Sequence, residues 1–114
     1  VHAGVAAVVG DDRRGFYLVA RSDGKAVGSL MITYEWSDWR NGNLWWIQSV
    51  YVVPSARKQG IFRLLYNSVI SLAKQSGDAA GVRLYVEKDN RGAQEVYRKL
   101  GMSETAYRVF EIIL

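Results

Sequence analysis

The sequence predicts an α/β (α+β) domain in which hairpin-linked strands lead into one strand–helix–strand unit. Three observations carry this. Strand-type runs in the first half are separated by Asp23-Gly24 and Asn41-Gly42, the dipeptides that favour tight hairpin turns. The apolar period changes to spacings of three and four at about Gln59 and reverts to a strand-type run at Val82. At 114 residues with 49% hydrophobic composition, the chain has apolar mass for one small core and no more.

Taken in order, His2 to Val9 are small and apolar and read as the tail of a helix, with Gly10-Asp11-Asp12 as its stop. Phe16 to Ala20 is a short strand, and Ala26 to Glu35 is its hairpin partner across Ser22–Lys25. Trp36 to Asn43 is a polar turn carrying two tryptophans. Leu44 to Val53 has large apolar residues on both faces, which predicts a central strand covered on both sides. Pro54 cannot donate a ladder hydrogen bond and ends it. Gln59 to Ser76 is a helix, with Ile61, Leu65, Val69 and Leu72 on its inner face and Gly77 as its stop. Val82 to Glu87 is the next strand, and a strand–helix–strand succession predicts parallel neighbours. Asp89 or Asn90 caps a second helix that runs to about Leu100, and Gly101 ends it. Thr105 to Leu114 alternates apolar residues and reads as a last strand.

Composition narrows the chemistry. There is no cysteine, hence no disulfide framework, thiolate nucleophile or thiolate metal site. The one histidine, His2, is next to the start of the sequence, which argues against a histidine triad or a multi-histidine metal centre. No apolar run approaches the ~18–20 residues that span a bilayer. No signal-peptide pattern opens the sequence, so no membrane partner and a cytoplasmic location are expected. The first residue is Val1 rather than Met, which reads as a fragment or a processed form. A net charge of +4 and a pI near 9.5 favour an anionic partner, either a polyanionic cofactor or a nucleic acid. The cations are scattered, at Arg13, Arg14, Arg57, Lys58, Arg63, Arg83, Arg91, Arg98 and Lys99, with no basic run and no nucleic-acid motif. No nucleic-acid partner is therefore expected.

The informative stretch is Val50 to Leu65. It reads as the end of a strand, a basic glycine-bearing turn and the start of a long helix. The first turn of a helix has backbone N–H groups without internal partners, at the positive end of the macrodipole. Arg57 and Lys58 beside those donors suit a phosphate or pyrophosphate, and Gly60 lets backbone approach it closely. An ordinary strand-to-helix turn is the alternative.

Pro54-x-x-Arg57-Lys58-Gln59-Gly60-Ile61-Phe62 resembles the Arg/Gln-x-x-Gly-x-Gly/Ala acyl-CoA signature of the GNAT superfamily of N-acetyltransferases. Phe62 replaces the last small residue, and the pattern accommodates it if its ring points into the helix–sheet core. A second stretch, Asn90-Arg-Gly-Ala93-Gln-Glu-Val-Tyr97-Arg-Lys-Leu-Gly101-Met102, resembles the family's Asn-x-x-Ala-x-x-x-Tyr-x-x-x-Gly-Phe hallmark, with Met102 for Phe. Both occur in the family's order, and the resemblance covers about Phe16 to Leu114. It implies a mixed, mostly antiparallel twisted sheet with a central βαβ unit and helices on its faces. The strand and helices that usually open the domain are not matched.

The resemblance also implies acetyl transfer from acetyl-CoA to an amine acceptor, a small molecule or a protein amine, without a metal. In the family the pyrophosphate lies on the segment matching Arg57, Lys58, Gln59, Gly60, Ile61, Phe62 and Arg63. The pantetheine arm lies along Val50, Tyr51 and Val52, with Asn90 and Ala93 beside it. A backbone N–H near Val52 would face the oxyanion. Tyr97 matches the tyrosine that protonates the leaving thiolate, and a core aromatic is the alternative reading of that residue. A glutamate that some members carry before the second helix is Tyr85 here, so Glu35 and Glu87 are the carboxylates left to accept the amine's proton. A member without a dedicated base also fits. Trp36, Trp39, Trp45 and Trp46 read as packing or a homodimer contact before an acceptor pocket. A CoA-binding chain without turnover is the alternative function.

Overall fold

The computed structural model describes residues 3–8 and 13–114. Its strands are β1 (Ala3–Val8), β2 (Gly15–Ser22), β3 (Lys25–Ser37), β4 (Gly42–Val52) and β5 (Ala79–Leu84); its α-helices are α1 (Ile61–Ser76) and α2 (Arg91–Lys99). One sheet runs in the order β1-β2-β3-β4-β5. β1 to β4 are antiparallel neighbours, and β5 adds parallel to β4 after the α1 crossover.

Both hairpins form at the expected turns. Asp23 and Gly24 adopt φ 52 and 78, and Asn41 adopts φ 50, left-handed conformations that Asp, Gly and Asn tolerate. Alternation then sorts the sheet into two faces. Leu18, Ala20, Leu30, Ile32, Trp45 and Ile47 point to one face and meet Ile61, Leu65, Tyr66, Val69 and Ala73 of α1. Leu18, Leu30, Ile32, Leu65 and Val69 are fully buried there, each contributing about 1.5–3 kcal/mol of transfer free energy. Gly28 sets how closely α1 can sit: a Cβ on it would lie 2.8 Å from Ile61 Cγ2 and 3.2 Å from the Tyr51 carbonyl oxygen. α1 stops at Gly77, with φ 78. α2 leans on the start of α1 through Tyr97 and Phe62, whose ring centroids are 5.8 Å apart. No described helix packs on the opposite face, which carries Tyr17, Met31, Thr33, Trp46, Gln48 and Arg83 by the same register.

Four expectations need correction. The segment read as a helix tail is strand β1: Val5 pairs with Ala20 and Ala7 with Leu18. So short a helix would leave most of its backbone groups unpaired, whereas the edge of β2 satisfies them. The expected stop at Gly10-Asp11-Asp12 lies outside the described residues, as does His2. β5 starts at Ala79 and ends at Leu84, so Tyr85 to Glu87 are not strand. β4 is covered on both faces only along its first half, and Val50 and Tyr51 are exposed. Thr105 to Leu114 forms no strand, and Phe110 is 93% exposed. Alternating apolar residues supply propensity, but a strand needs a partner for its hydrogen bonds, and this segment pairs with none of the described strands.

Candidate functional site

The site begins with a defect in β4. Ser29 pairs with Tyr51 and Met31 with Gln48, so β4 carries one residue more than β3 over this interval. Ser49 lies in the bulge at φ 53, an uncommon conformation for serine. A bulge bends its strand and increases the local twist. On the other side of β4 the parallel ladder to β5 ends at Ile47 and Leu84. Beyond that pair, Gln48 to Val52 has no β5 neighbour, and Tyr85 to Glu87 diverges as irregular chain. The result is a notch in the sheet, with strand-type backbone along one wall.

The head of α1 stands beside it. Val53 N–H bonds the Val27 carbonyl at 2.9 Å, and a short 3-10 turn, Pro54–Ala56, carries the chain over to the helix. Two side chains brace this turn: Arg57 Nε donates to the Val52 carbonyl and Gln59 Nε2 to the Ser55 carbonyl, each at 3.0 Å. Lys58 and Gly60 are left-handed, at φ 65 and 78. The Leu64 N–H to Gly60 carbonyl bond, 3.0 Å, opens the helix, so the donors of Ile61, Phe62 and Arg63 precede it. No side chain caps α1 and no acidic residue lies in its first turn. Among the described residues Arg57, Lys58 and Arg63 have no carboxylate partner. α2 differs: Asn90 Oδ1 accepts the Ala93 N–H at 3.1 Å, so that helix supplies its own cap. α1 thus presents uncompensated donors and three cations, and its open space at Gly60 holds nothing within 4 Å of a Cβ position.

A cleft of about 870 Å³ adjoins the notch and runs around β5. Tyr66 and Tyr97 line it on the helix side, and Glu35, Trp46, Arg83 and Tyr85 on the other. Tyr97 is half-buried, and burial pushes its phenol above the ordinary value of 10.0. It therefore stays protonated across the neutral range. Its ring leans on Phe62, which in turn meets Tyr66 at 6.2 Å. Glu35 is held on the helix-free side: its Oε1 accepts the Trp46 indole N–H at 2.8 Å. Trp46 stacks on Tyr85, with centroids 4.5 Å apart, and the Arg83 guanidinium lies 6.0 Å from the Trp46 ring centroid.

The residues expected at the site fall at several places in the fold. Arg57, Lys58, Gln59, Gly60, Ile61, Phe62 and Arg63 form the turn and head of α1; Arg57 and Gln59 also brace it. Phe62 packs on the core and on Tyr97. Val50, Tyr51 and Val52 lie beyond the bulge on the notch wall, and Asn90 and Ala93 make the cap of α2. Glu35 and Tyr97 both line the cleft, whereas Glu87 does not, and its carbonyl accepts Gln94 Nε2 at 3.3 Å. The tryptophans divide: Trp45 is core, Trp46 lines the cleft, and Trp36 and Trp39 are exposed. Sequence reasoning missed Gly28, Ser49 and Arg83. Gly28 sits in a strand run, where a glycine marks close backbone approach and was a usable signal. Ser49 and Arg83 carried none, because bulges and cross-strand neighbours depend on register.

Known proteins resemble this chain in sequence and fold. Residues 5–102 match the family model described as the acetyltransferase (GNAT) family. An uncharacterized N-acetyltransferase of Methanocaldococcus jannaschii is 35% identical over 94 residues, covering 82% of this chain and 41% of that protein. The chain therefore spans about two-fifths of that curated relative's length. The crystal structure of a possible acetyltransferase from Clostridium difficile 630 superimposes with a TM-score of 0.84 at 45% identity, covering 91% of this chain and 68% of that one. AAC(6')-Iy in complex with the bisubstrate analog CoA-S-monomethyl-acetylneamine has a TM-score of 0.83 at 16% identity, covering 100% and 99% of the two chains, a likeness of fold alone. No helix among the described residues is long and apolar enough to cross a membrane, and no cluster of metal-ligating side chains occurs among them. With the family model matched along nearly the whole described fold, from β1 to the residue after Gly101, this chain is a member of the acetyltransferase (GNAT) family.

Proposed function

We propose that the protein transfers an acetyl group from acetyl-CoA to a primary amine by direct attack in a ternary complex. The observation that carries this is the parting of β4 from β5 beside an uncapped, cation-rich helix start. A diphosphate fits those donors, and an amide-bearing arm fits the unpaired wall of β4, as an added strand would. Arg57 is less free than a surface cation, because its Nε already holds Val52; its terminal N–H groups are left to bond the phosphates.

In the reaction, the amine nitrogen attacks the thioester carbonyl, a C–N bond forms, and the C–S bond breaks. Backbone N–H groups near the bulge receive the oxyanion. The Tyr97 phenol, held neutral by its burial, donates its proton to the departing thiolate. Glu35, oriented by the Trp46 indole, takes the proton lost by the amine, directly or through water.

Calorimetry with CoA and acetyl-CoA at low salt, paired with thiol release across an amine panel, tests this reading. Uptake with turnover is expected. A folded protein that takes up neither form of the coenzyme would overturn it, and uptake without turnover of any amine would reduce it to coenzyme binding.

A further inference from the structure

Phe62 meets Tyr66 and Tyr97 on the helix side, where those two tyrosines line the cleft, and the helix-free side of the same cleft carries Glu35, Trp46, Arg83 and Tyr85. On that side one indole sits between two opposite charges. Glu35 bonds the Trp46 N–H at 2.8 Å, and Arg83 lies 6.0 Å from its ring centroid. Trp46 and Arg83 are register partners in the parallel ladder, which places both on this face. Glu35 and Arg83 do not pair with each other, and among the described residues Arg83 has no carboxylate partner. Arg83 is also partly buried, unlike the solvated arginines of the surface. A guanidinium held against an aromatic face, facing a cleft and lacking an anion, suits a planar carboxylate bound in bidentate fashion.

We propose that the acceptor carries a carboxylate as well as its amine, with Arg83 reading the carboxylate and Glu35 facing the ammonium. The Trp46–Tyr85 stack contacts the apolar body between the two charges. A polycation meets Arg83 and is repelled; a simple anion meets Glu35 and is repelled. Arg83 is a specificity-determining residue in this reading, outside the bond-making steps. The inference rests on the acetyl-transfer reading above, and it deepens it by naming the acceptor class.

Matched pairs test it: 4-(aminomethyl)benzoate against benzylamine, and L-lysine against 1,5-diaminopentane. Each is assayed for acetylation and, separately, for calorimetric binding to the protein without coenzyme. The carboxylate-bearing member of at least one pair is expected to show about tenfold higher kcat/KM, through KM, with tighter binding. Arg83→Gln removes the preference by raising KM for the carboxylate-bearing member more than for the simple amine, with CoA uptake unchanged; Arg83→Lys retains part of it. Absence of any preference in the parent, equal losses for both members of each pair, or weakened CoA uptake in Arg83→Gln overturns the proposal. Failure of CoA uptake by the parent removes the acetyl-transfer reading instead, and the coenzyme-free titrations still decide the role of Arg83.

Discussion

Replacing Gly60 separates the two jobs of the turn before α1. Gly60 has φ 78, and a Cβ there meets nothing within 4 Å, so the cost of a side chain is conformational rather than steric. Alanine at this left-handed position should destabilise the fold by about 1–2 kcal/mol. Aspartate tolerates the conformation better, and its charge lies at the positive end of an uncapped helix, where it contributes about 0.3–1 kcal/mol. Gly60→Asp should therefore be as stable as Gly60→Ala or more so. Coenzyme binding should move the opposite way. A carboxylate ~6 Å from one phosphate charge costs about 3 kcal/mol at an effective dielectric of ~20, before screening by salt. Halved by screening, that is still roughly a tenfold loss of affinity relative to the alanine variant. Thermal denaturation and CoA calorimetry on both variants read the two effects separately. Equal CoA affinity in Gly60→Ala and Gly60→Asp would refute the placement of the diphosphate at this helix start.

Three further variants test the same geometry. Tyr97→Phe should slow acetyl transfer by about 10²-fold or more with CoA affinity hardly changed; equal rates would remove the phenol from the chemistry. The same variant has a second signature. Burial raises the folded-state value of Tyr97, so the unfolded chain loses that proton first, and parent stability falls as pH rises from about 10 through the folded value. Tyr97→Phe should show a shallower drop in Tm over that alkaline window, and an identical drop would contradict the burial argument. Glu35→Gln keeps an oxygen for the Trp46 N–H, so stability should change by less than about 0.5 kcal/mol. Its rate should fall at neutral pH and recover at high pH, where the amine arrives deprotonated; a pH-independent deficit would count against Glu35 as the base. Gly28→Ala forces Ile61 away from β3 and should cost about 1–3 kcal/mol, with weaker CoA binding because the head of α1 moves. An unaltered Tm and CoA affinity would show that this contact does not position the helix.

Much of this was legible in one dimension because it is local. Asp23-Gly24, Asn41-Gly42, Gly77 and Asn90 act within a few residues of themselves, and each marks a boundary that the structure keeps. The period of α1 named most of its buried face: Ile61, Leu65 and Val69 are buried as 3.6 residues per turn requires, whereas Leu72 is only partly buried and Ala73 takes the inner position. The basic glycine turn was legible for the same reason. Residues 3–8 and 105–114 were not, because strand identity depends on whether an edge is available to pair with. The small residues of β1 found one in β2, and the strongly alternating tail found none among the described strands. Most of the candidate site belongs to this second class. The notch exists because the β4–β5 ladder stops at Ile47 and Leu84 while β4 bulges at Ser49. The setting of Trp46 between Glu35 and Arg83 exists because three strands bring residues far apart in sequence into one register. Patterning along the chain determined most of the elements and the basic, glycine-bearing head of α1; strand pairing, which sums weak backbone interactions over the whole sheet, decided where the candidate site residues meet.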